Sequence, residues 1–323
     1  MFAARVLITT YHNAYLIRGG GEFEIASIAD SLKKKGAIAD LYGPYSRAIE
    51  HYDVALHFSI HKAGLDLLRE IHAAGKPIVL WPNLWVTRDM PDPNLVAEHI
   101  ALASCVVFKS KAEKEHFCSL FPVAEEKVRL VPAGVDPDFE KPAPSGLFQS
   151  LYGLKEYAIW FGIIEPVKNQ LMAIRALKKL DIPLVLVGKY RDRSYFDACK
   201  NEASENALFI ESVPYKSEIA RSALQESLFY IEISGEPPGL SALSAGLAGC
   251  RMVLSDSSWS REHFADDAVY VNPASLGSVC DGIQKTLASA HKPGIIRKRM
   301  AAHRLPDAIE PLLTILSAAA GKS

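Results

Sequence analysis

Residues 228–250 read LFYIEISGEPPGLSALSAGLAGC. A short apolar run, LFYIEI, gives way to a Pro-Pro-Gly turn carrying one carboxylate, Glu236, and then to a run made almost wholly of Ser, Ala, Gly and Leu. The spacing predicts a strand, a turn and a helix. Small side chains let such a helix lie close to its neighbours, while its first turn leaves backbone N–H groups without intrahelical partners. A helix start of this kind is a place to hold an anion.

The same unit recurs in both directions. Upstream, RVLITT, DVALHFS, PIVLWP, CVVFKS and VRLVP read as strands, separated by amphipathic stretches such as EFEIASIADSLKKKG and GLDLLREIHAAG. In the first of these, Glu22 and Glu24 suit the positive end of a helix, Phe23, Ile28 and Leu32 share a face, and Lys33–Lys35 precede a stopping Gly36. Residues 137–156, rich in Pro and Gly, break the alternation and read as a linker. A second series follows: YAIWFG, PLVLVG, ALFIE, LFYIEI, RMVLSD and AVYVNP as strands, with helical stretches between them. Strand–helix alternation of this kind implies parallel sheets covered on both faces. The expected fold is therefore α/β, with two Rossmann-like, doubly wound domains facing a central cleft. Their expected bounds are 1–145 and 146–305, with a last helix, about 306–323, packing back on the first domain.

Composition narrows the function. The chain has 323 residues, 49% hydrophobic and 23% charged, a globular balance. Split at residue 150, it carries 16 basic against 18 acidic residues and then 20 against 19, so nothing marks a nucleic-acid partner. Five widely spaced cysteines with no C-x-x-C pair argue against a disulfide framework and against a zinc site, which fits a cytoplasmic protein. The opening MFAARVLITTY has too short an apolar run for a membrane span. Any membrane contact is expected to be peripheral, at the inner face.

Four stretches, in order, carry a resemblance that covers nearly the whole chain: RGGGE (18–22), VRLVPAGVDPDFEKP (128–142), WFGIIEPVKNQ (160–170) and the 234–250 stretch. The chain resembles the metal-independent, retaining glycosyltransferases of family 4, which have the GT-B architecture of two Rossmann-like domains. The resemblance implies transfer of a sugar from a nucleotide diphosphate donor to an acceptor hydroxyl with retention, and no metal or resident cofactor. It also implies a glycan or lipid-linked acceptor, in glycan or surface polysaccharide synthesis. Retention in this family is usually explained by front-face attack, with a donor phosphate oxygen helping to take the acceptor's proton.

Such a transfer develops negative charge on the departing phosphate, which fixed cations and helix ends stabilise. The resemblance assigns Lys168 to the leaving group and Glu236 to the donor sugar. Gly239, Leu240 and Ser241 belong to the phosphate-binding helix start. Gly162 lies in the second domain's phosphate loop, and Gly19, Gly20 and Gly21 in that of the first. A diphosphate is thus expected between the two halves, held by Lys168 and by the helix starts near residues 20 and 239.

Two positions depart from the family pattern. Eight residues after Glu236, the glutamate that normally holds the ribose hydroxyls is Ser244, so one charge-assisted bond is absent. In the phosphate loop, the arginine commonly following the glycine is Ile163. Other positions stay open. Glu262, beside Arg261, is either a nucleotide contact or part of a loop ion pair. Asn83 is either a donor-sugar contact or a turn residue, and Trp81 and Trp85 either stack on an acceptor sugar or pack in the core.

Near-matches to other chemistries are weak. Asp136-Pro-Asp138 spells the Asp-x-Asp of metal-dependent transferases but lies before the linker. His57 and His61 lack the partners of a zinc site. YHNAYLIR separates the first strand from its glycines, unlike a dinucleotide fingerprint. Two alternatives to transfer remain: a non-catalytic nucleotide- or glycan-binding member of the same fold, and a nucleotide-sugar epimerase.

Overall fold

The structure is a computed structural model that describes residues 4–16, 19–87, 89–203 and 205–322. The chain divides into two compact units, Met1–Gly134 with Ala302–Ser323, and Val135–Ala301.

The first unit holds strands β1 (Arg5–Thr9), β2 (Ile38–Leu41), β3 (Val54–Phe58), β4 (Ile78–Trp81), β5 (Cys105–Phe108) and β6 (Val128–Leu130). Its main helices are α1 (Gly20–Lys34), α2 (Lys62–Ala73), α3 (Pro93–Leu102) and α4 (Lys111–Leu120). All strand pairings are parallel, in the order β2-β1-β3-β4-β5-β6. The winding reverses between β1 and β3. The central strands VALHF, IVLW and CVVF are buried along their whole length, as strands covered on both faces must be.

The second unit opens with α5 (Leu147–Tyr152) and continues β7 (Ala158–Phe161), α6 (Gln170–Lys179), β8 (Leu184–Val187), α7 (Arg193–Ala203), β9 (Ala207–Ile210) and α8 (Glu218–Gln225). Then come β10 (Phe229–Glu232), α9 (Leu240–Ala248), β11 (Met252–Ser255), α10 (Ser258–Phe264), β12 (Val269–Val271), α11 (Leu276–Ala288) and α12 (Pro293–Met300). Its parallel sheet has the order β12-β11-β10-β7-β8-β9. Counted from β7, this is the 3-2-1-4-5-6 order of the Rossmann fold, read from one edge to the other, with the reversal between β7 and β10.

The last helix, α13 (Glu310–Ala319), belongs to the first unit. Leu305, Ile309, Leu312 and Leu316 recur at helical spacing, are buried, and join Val6, Ile8 and Leu56 in one core. Lys322 and Arg5 both pair with Asp53, tying this end of the chain to the start of the sheet.

Local differences from the sequence reading have physical causes. The stretch 137–156 is structured: a short 3-10 turn at Pro137–Glu140 and α5 bury Phe139 and Phe148, so the units divide at Gly134/Val135, before it. In α1 it is Ile25, not Phe23, that joins Ile28 and Leu32 in the core, and Glu22 and Glu24 are buried by specific partners described below.

The small-residue helix is the most enclosed helix of its unit. Residues 242–248 of α9 are all buried. A Cβ on Gly246 would lie 2.9 Å from Met300 Cγ and 3.1 Å from Phe264 Cε1, so absence of a side chain is what lets the neighbouring α12 and α10 approach.

Candidate functional site

In an open parallel sheet, the loops leaving two strands on either side of a winding reversal run in opposite directions and open a crevice at their carboxyl ends. In the second unit those strands are β7 and β10. The loops at this end of the sheet are tied together: the Gly235 N–H after β10 donates to Val167 O after β7 at 2.9 Å, Ser255 Oγ of β11 to Ser234 O at 2.7 Å, and Asn169 Nδ2 to Pro273 O after β12 at 2.9 Å. This stitching brings Lys168, at the end of the 3-10 turn Pro166–Lys168, over the end of β10. Lys168 Nζ lies 2.7 Å from Glu236 Oε1 and 3.6 Å from Glu232 Oε1.

Glu232 is the residue that the sequence reading passed over. It looked like one polar position in an apolar strand, yet it is fully buried as the last residue of β10. Its Oε2 accepts from Tyr230 Oη at 2.5 Å and from Ser241 Oγ at 3.0 Å. Burial raises its pKa, against the opposing pull of Lys168 and the two hydroxyl donors. For Lys168, burial alone would depress the ammonium, but the charges of Glu232 and Glu236 and the hydrogen bond to Glu236 outweigh it and hold the pKa above its ordinary value. Glu236 is the more exposed partner of the two, with its side chain 28% exposed.

The remaining residues of the expected phosphate site divide into available and engaged groups. Gly239 precedes α9 with φ 69° and ψ −141°, a conformation that L side chains strongly resist, and it turns the chain so that the α9 N-terminus opens next to Glu236. The first-turn amides of Leu240 and Ser241 have no intrahelical acceptor. The Ser241 hydroxyl, in contrast, lies 3.0 Å from both Glu232 Oε2 and Pro238 O, and so points inward. The Gly162 N–H donates to Val187 O at 2.9 Å, which extends the β7–β8 ladder; that amide is not free for a phosphate. Ser244 is buried within α9. Glu262 is exposed on α10, and Arg261 pairs with Asp256 at 2.6 Å.

In the first unit, Arg18, which opens the glycine stretch, lies outside the described residues. The Gly19 N–H donates to Glu22 Oε2 at 2.6 Å, and Tyr11 Oη donates to Glu22 Oε1 at 2.9 Å. A carboxylate of the protein itself thus occupies part of the α1 N-terminus, leaving the Gly20 and Gly21 amides. Asn83, at φ 43°, follows β4, and its side-chain amide nitrogen lies against Gly21, where a Cβ would be 3.4 Å away. Asn83 Oδ1 accepts from Lys109 Nζ at 2.8 Å, and Lys109 also meets Glu24 Oε2 at 3.2 Å. The sequence reading missed Lys109, at the end of CVVFKS, because its partners Asn83 and Glu24 come from other elements. Trp81 is fully buried against Phe58, with ring centroids 6.0 Å apart. Trp85 is half-buried and stacks on His116 at 4.0 Å.

The near-matches have structural duties. Asp136 caps its 3-10 turn by accepting from the Asp138 N–H and pairs with Lys216 at 2.7 Å, while Asp138 pairs with Lys141. His57 is buried and bonded to Thr9 Oγ1 at 2.8 Å, whereas His61 caps α2. Among the described residues no group of three or more His, Cys, Asp or Glu could hold a metal ion, and no helix is long and apolar enough to cross a membrane.

No family model matches the sequence, and no curated protein matches it. Solved structures do. Alr3699/HepE of Anabaena in complex with UDP has a TM-score of 0.78 at 15% identity, covering 97% of this chain and 100% of that one. A glycosyltransferase from Rickettsia africae has a TM-score of 0.77 at 14% identity, covering 100% of both chains. A trehalose-6-phosphate synthase analysed with bisubstrate glycomimetics has a TM-score of 0.64 at 13% identity, covering 82% of this chain and 74% of that one. These likenesses show the fold: two Rossmann-like domains of the GT-B glycosyltransferase type.

Proposed function

We propose that the chain is a glycosyltransferase that moves a sugar from a nucleotide diphosphate donor to an acceptor hydroxyl, with retention at the anomeric carbon and without a metal ion, in glycan or surface polysaccharide synthesis. The observation that carries the reading is the meeting of Lys168, Glu236 and the α9 N-terminus at the β7/β10 reversal. In this reading the second unit holds the donor, and Gly19–Gly21, Asn83 and Trp85 of the first unit are proposed donor or acceptor contacts.

The donor diphosphate takes Lys168 from Glu236 and lies on the amides of Leu240 and Ser241, and Glu236 turns to the hydroxyls of the donor sugar. When the bond from the anomeric carbon to the phosphate oxygen breaks, its electron pair stays on that oxygen, facing Lys168 and the positive end of α9. The acceptor oxygen bonds to the anomeric carbon on the same face, and its proton passes to a phosphate oxygen. Fixed protein charges thereby do what a divalent ion does in other transferases. The fold neighbours support the donor class: HepE was solved with UDP and with UDP and glucose, and the trehalose-6-phosphate synthase was analysed for glycosyl transfer with retention.

A thermal-shift screen with UDP, GDP, ADP, CMP and dTDP compounds tests the reading, since a ligand that binds only the folded state raises Tm. At least one diphosphate is expected to do so, with the shift lost in Lys168→Ala; indifference to all of them rejects the proposal. A second reading, binding without catalysis, is favoured by Ser244 and by the engaged Gly162 amide. It predicts binding of a nucleotide sugar that is never consumed, with or without acceptor.

A further inference from the structure

The arrangement around Lys168 contains one carboxylate more than the proposed donor site needs. Glu236 is half-buried and can turn away. Glu232 cannot: it ends a central strand, is fully buried, and is fixed by Tyr230 Oη at 2.5 Å and Ser241 Oγ at 3.0 Å. Its second oxygen has no hydrogen-bond partner and faces Lys168 Nζ at 3.6 Å. A buried carboxylate oxygen left in this state is costly unless it serves the ammonium above it.

We propose that Glu232 is a positioning residue for the proposed transfer reaction, a fixed carboxylate that keeps Lys168 aimed into the site while Glu236 is exchanged for the donor diphosphate. The inference rests on the donor reading given above and adds to it. Without Glu232, the ammonium would lose its last anchor at the moment Glu236 leaves.

The same geometry links nucleotide binding to a proton. Two carboxylates already face one ammonium, and a diphosphate brings further negative charge. The other charged or titratable groups around Glu232 are Tyr230 on its own strand and, behind Lys168, Glu165, itself paired with Arg191 at 3.1 Å. Ser241 is the α9 group that faces it, and Leu254 stands at the paired position on β11. Tyr230 has no negative charge to shed, Glu165 is held ionised by Arg191, and Glu232 cannot move. Glu232 therefore takes up part of a proton as the diphosphate arrives, its Oε1 still facing the Lys168 ammonium as an acceptor, and by linkage the diphosphate binds more tightly as pH falls.

Calorimetry of UDP, GDP and ADP binding in Hepes and in Tris, whose ionisation enthalpies differ, reads this uptake directly. The wild-type protein is expected to take up a fraction of a proton per nucleotide and Glu232→Gln markedly less; the nucleotide's own titration is common to both and cancels. Removing one negative charge should lower the donor KM several-fold, while loss of the anchor lowers kcat about tenfold, a split that a merely structural defect does not give. Tyr230→Phe, which leaves the carboxylate in place with one donor fewer, should change the uptake and serves as the second variant should Glu232→Gln fold poorly. An unchanged proton count in the folded variants, or KM and kcat worsening together, overturns the inference alone. Failure of the wild type to bind any of the three nucleotides overturns both this inference and the donor reading beneath it.

Discussion

Lys168 and Lys109 hold comparable places in the two units. Each lies beyond the carboxyl end of a buried parallel strand, each is largely enclosed, and each meets a carboxylate, Lys168 with Glu236 and Glu232, Lys109 with Glu24. Burial depresses both ammonium groups, and neighbouring carboxylates more than restore them. Their partners differ in freedom. Glu24 is 4% exposed and Asn83 completes the Lys109 cage, whereas Glu236 has its side chain 28% exposed at an open helix start. One lysine is locked and structural; the other is held by a partner that a ligand can replace.

The largest effect expected from breaking this comparison is on stability. Lys109→Met leaves Glu24 buried without its cation and should destabilise the first unit by about 3–5 kcal/mol. Lys168→Met should cost clearly less, because Glu236 can turn to water and Glu232 can take a proton. Chemical denaturation of both variants, with hydrogen exchange to separate the units, checks the order. Equal losses would mean that Lys168 is as structural as Lys109.

The complementary effect is on turnover. Lys168→Ala should lower kcat by about 10²–10³-fold, the range for losing one fixed group at a developing oxyanion. A folded variant with parental transfer rates removes Lys168 from the reaction.

Most of the fold was legible because β-branched runs and amphipathic stretches alternate with few interruptions, and the last helix shows its buried face in Leu312 and Leu316. The residues that local pattern misled were those whose partners are distant in sequence. Glu232 reads as a defect in an apolar strand until Lys168 is brought over it from another loop, and Lys109 reads as a surface cation until β4 and α1 deliver Asn83 and Glu24. Gly162 was legible as a loop residue and Ser241 as part of a helix start, but only the ladder to β8 and the contact with Glu232 show that their polar groups are already engaged. Sequence spacing shows which loops carry polar groups. It does not show which of those groups are already satisfied.

The two switch points also differ in the sign of their response to pH. At the first, burial, with His99 adding to it, pushes the pKa of His57 down to about 3 from an ordinary 6.5. The unfolded chain binds more protons below 6.5, so this contribution to stability is complete above that value and is lost as pH falls towards 3. Between pH 6.5 and 5 the loss is about 2 kcal/mol. Glu232 runs the other way: its raised pKa gives a contribution that is complete below the ordinary carboxylate value and is lost as pH rises through the folded value. Hydrogen exchange at pH 7 and pH 5, corrected for intrinsic rates, should show β1 and β3 losing protection on acidification, and His57→Gln should flatten that change. Parallel behaviour of both units at the two pH values would show that these buried groups do not control it.

The smallest effects concern the two helix starts, and they sharpen the contrast most. Gly239 holds φ 69° and ψ −141°, and a Cβ there would meet nothing within 4 Å, so Gly239→Ala should cost about 1–2 kcal/mol through backbone strain alone. Gly20 begins α1 at ordinary φ, and a Cβ there also meets nothing within 4 Å. Nothing in the folded chain demands glycine at that position, and Gly20→Ala should be neutral or stabilise α1 by about 0.5 kcal/mol, because alanine is the better helix former. If the folded Gly20→Ala variant nevertheless transfers sugar more slowly or binds donor or acceptor more weakly, the glycine is there for the close approach of a ligand to the helix start. A variant that is more stable and fully active would remove the α1 start from the site and leave the β7/β10 reversal as its phosphate-binding element.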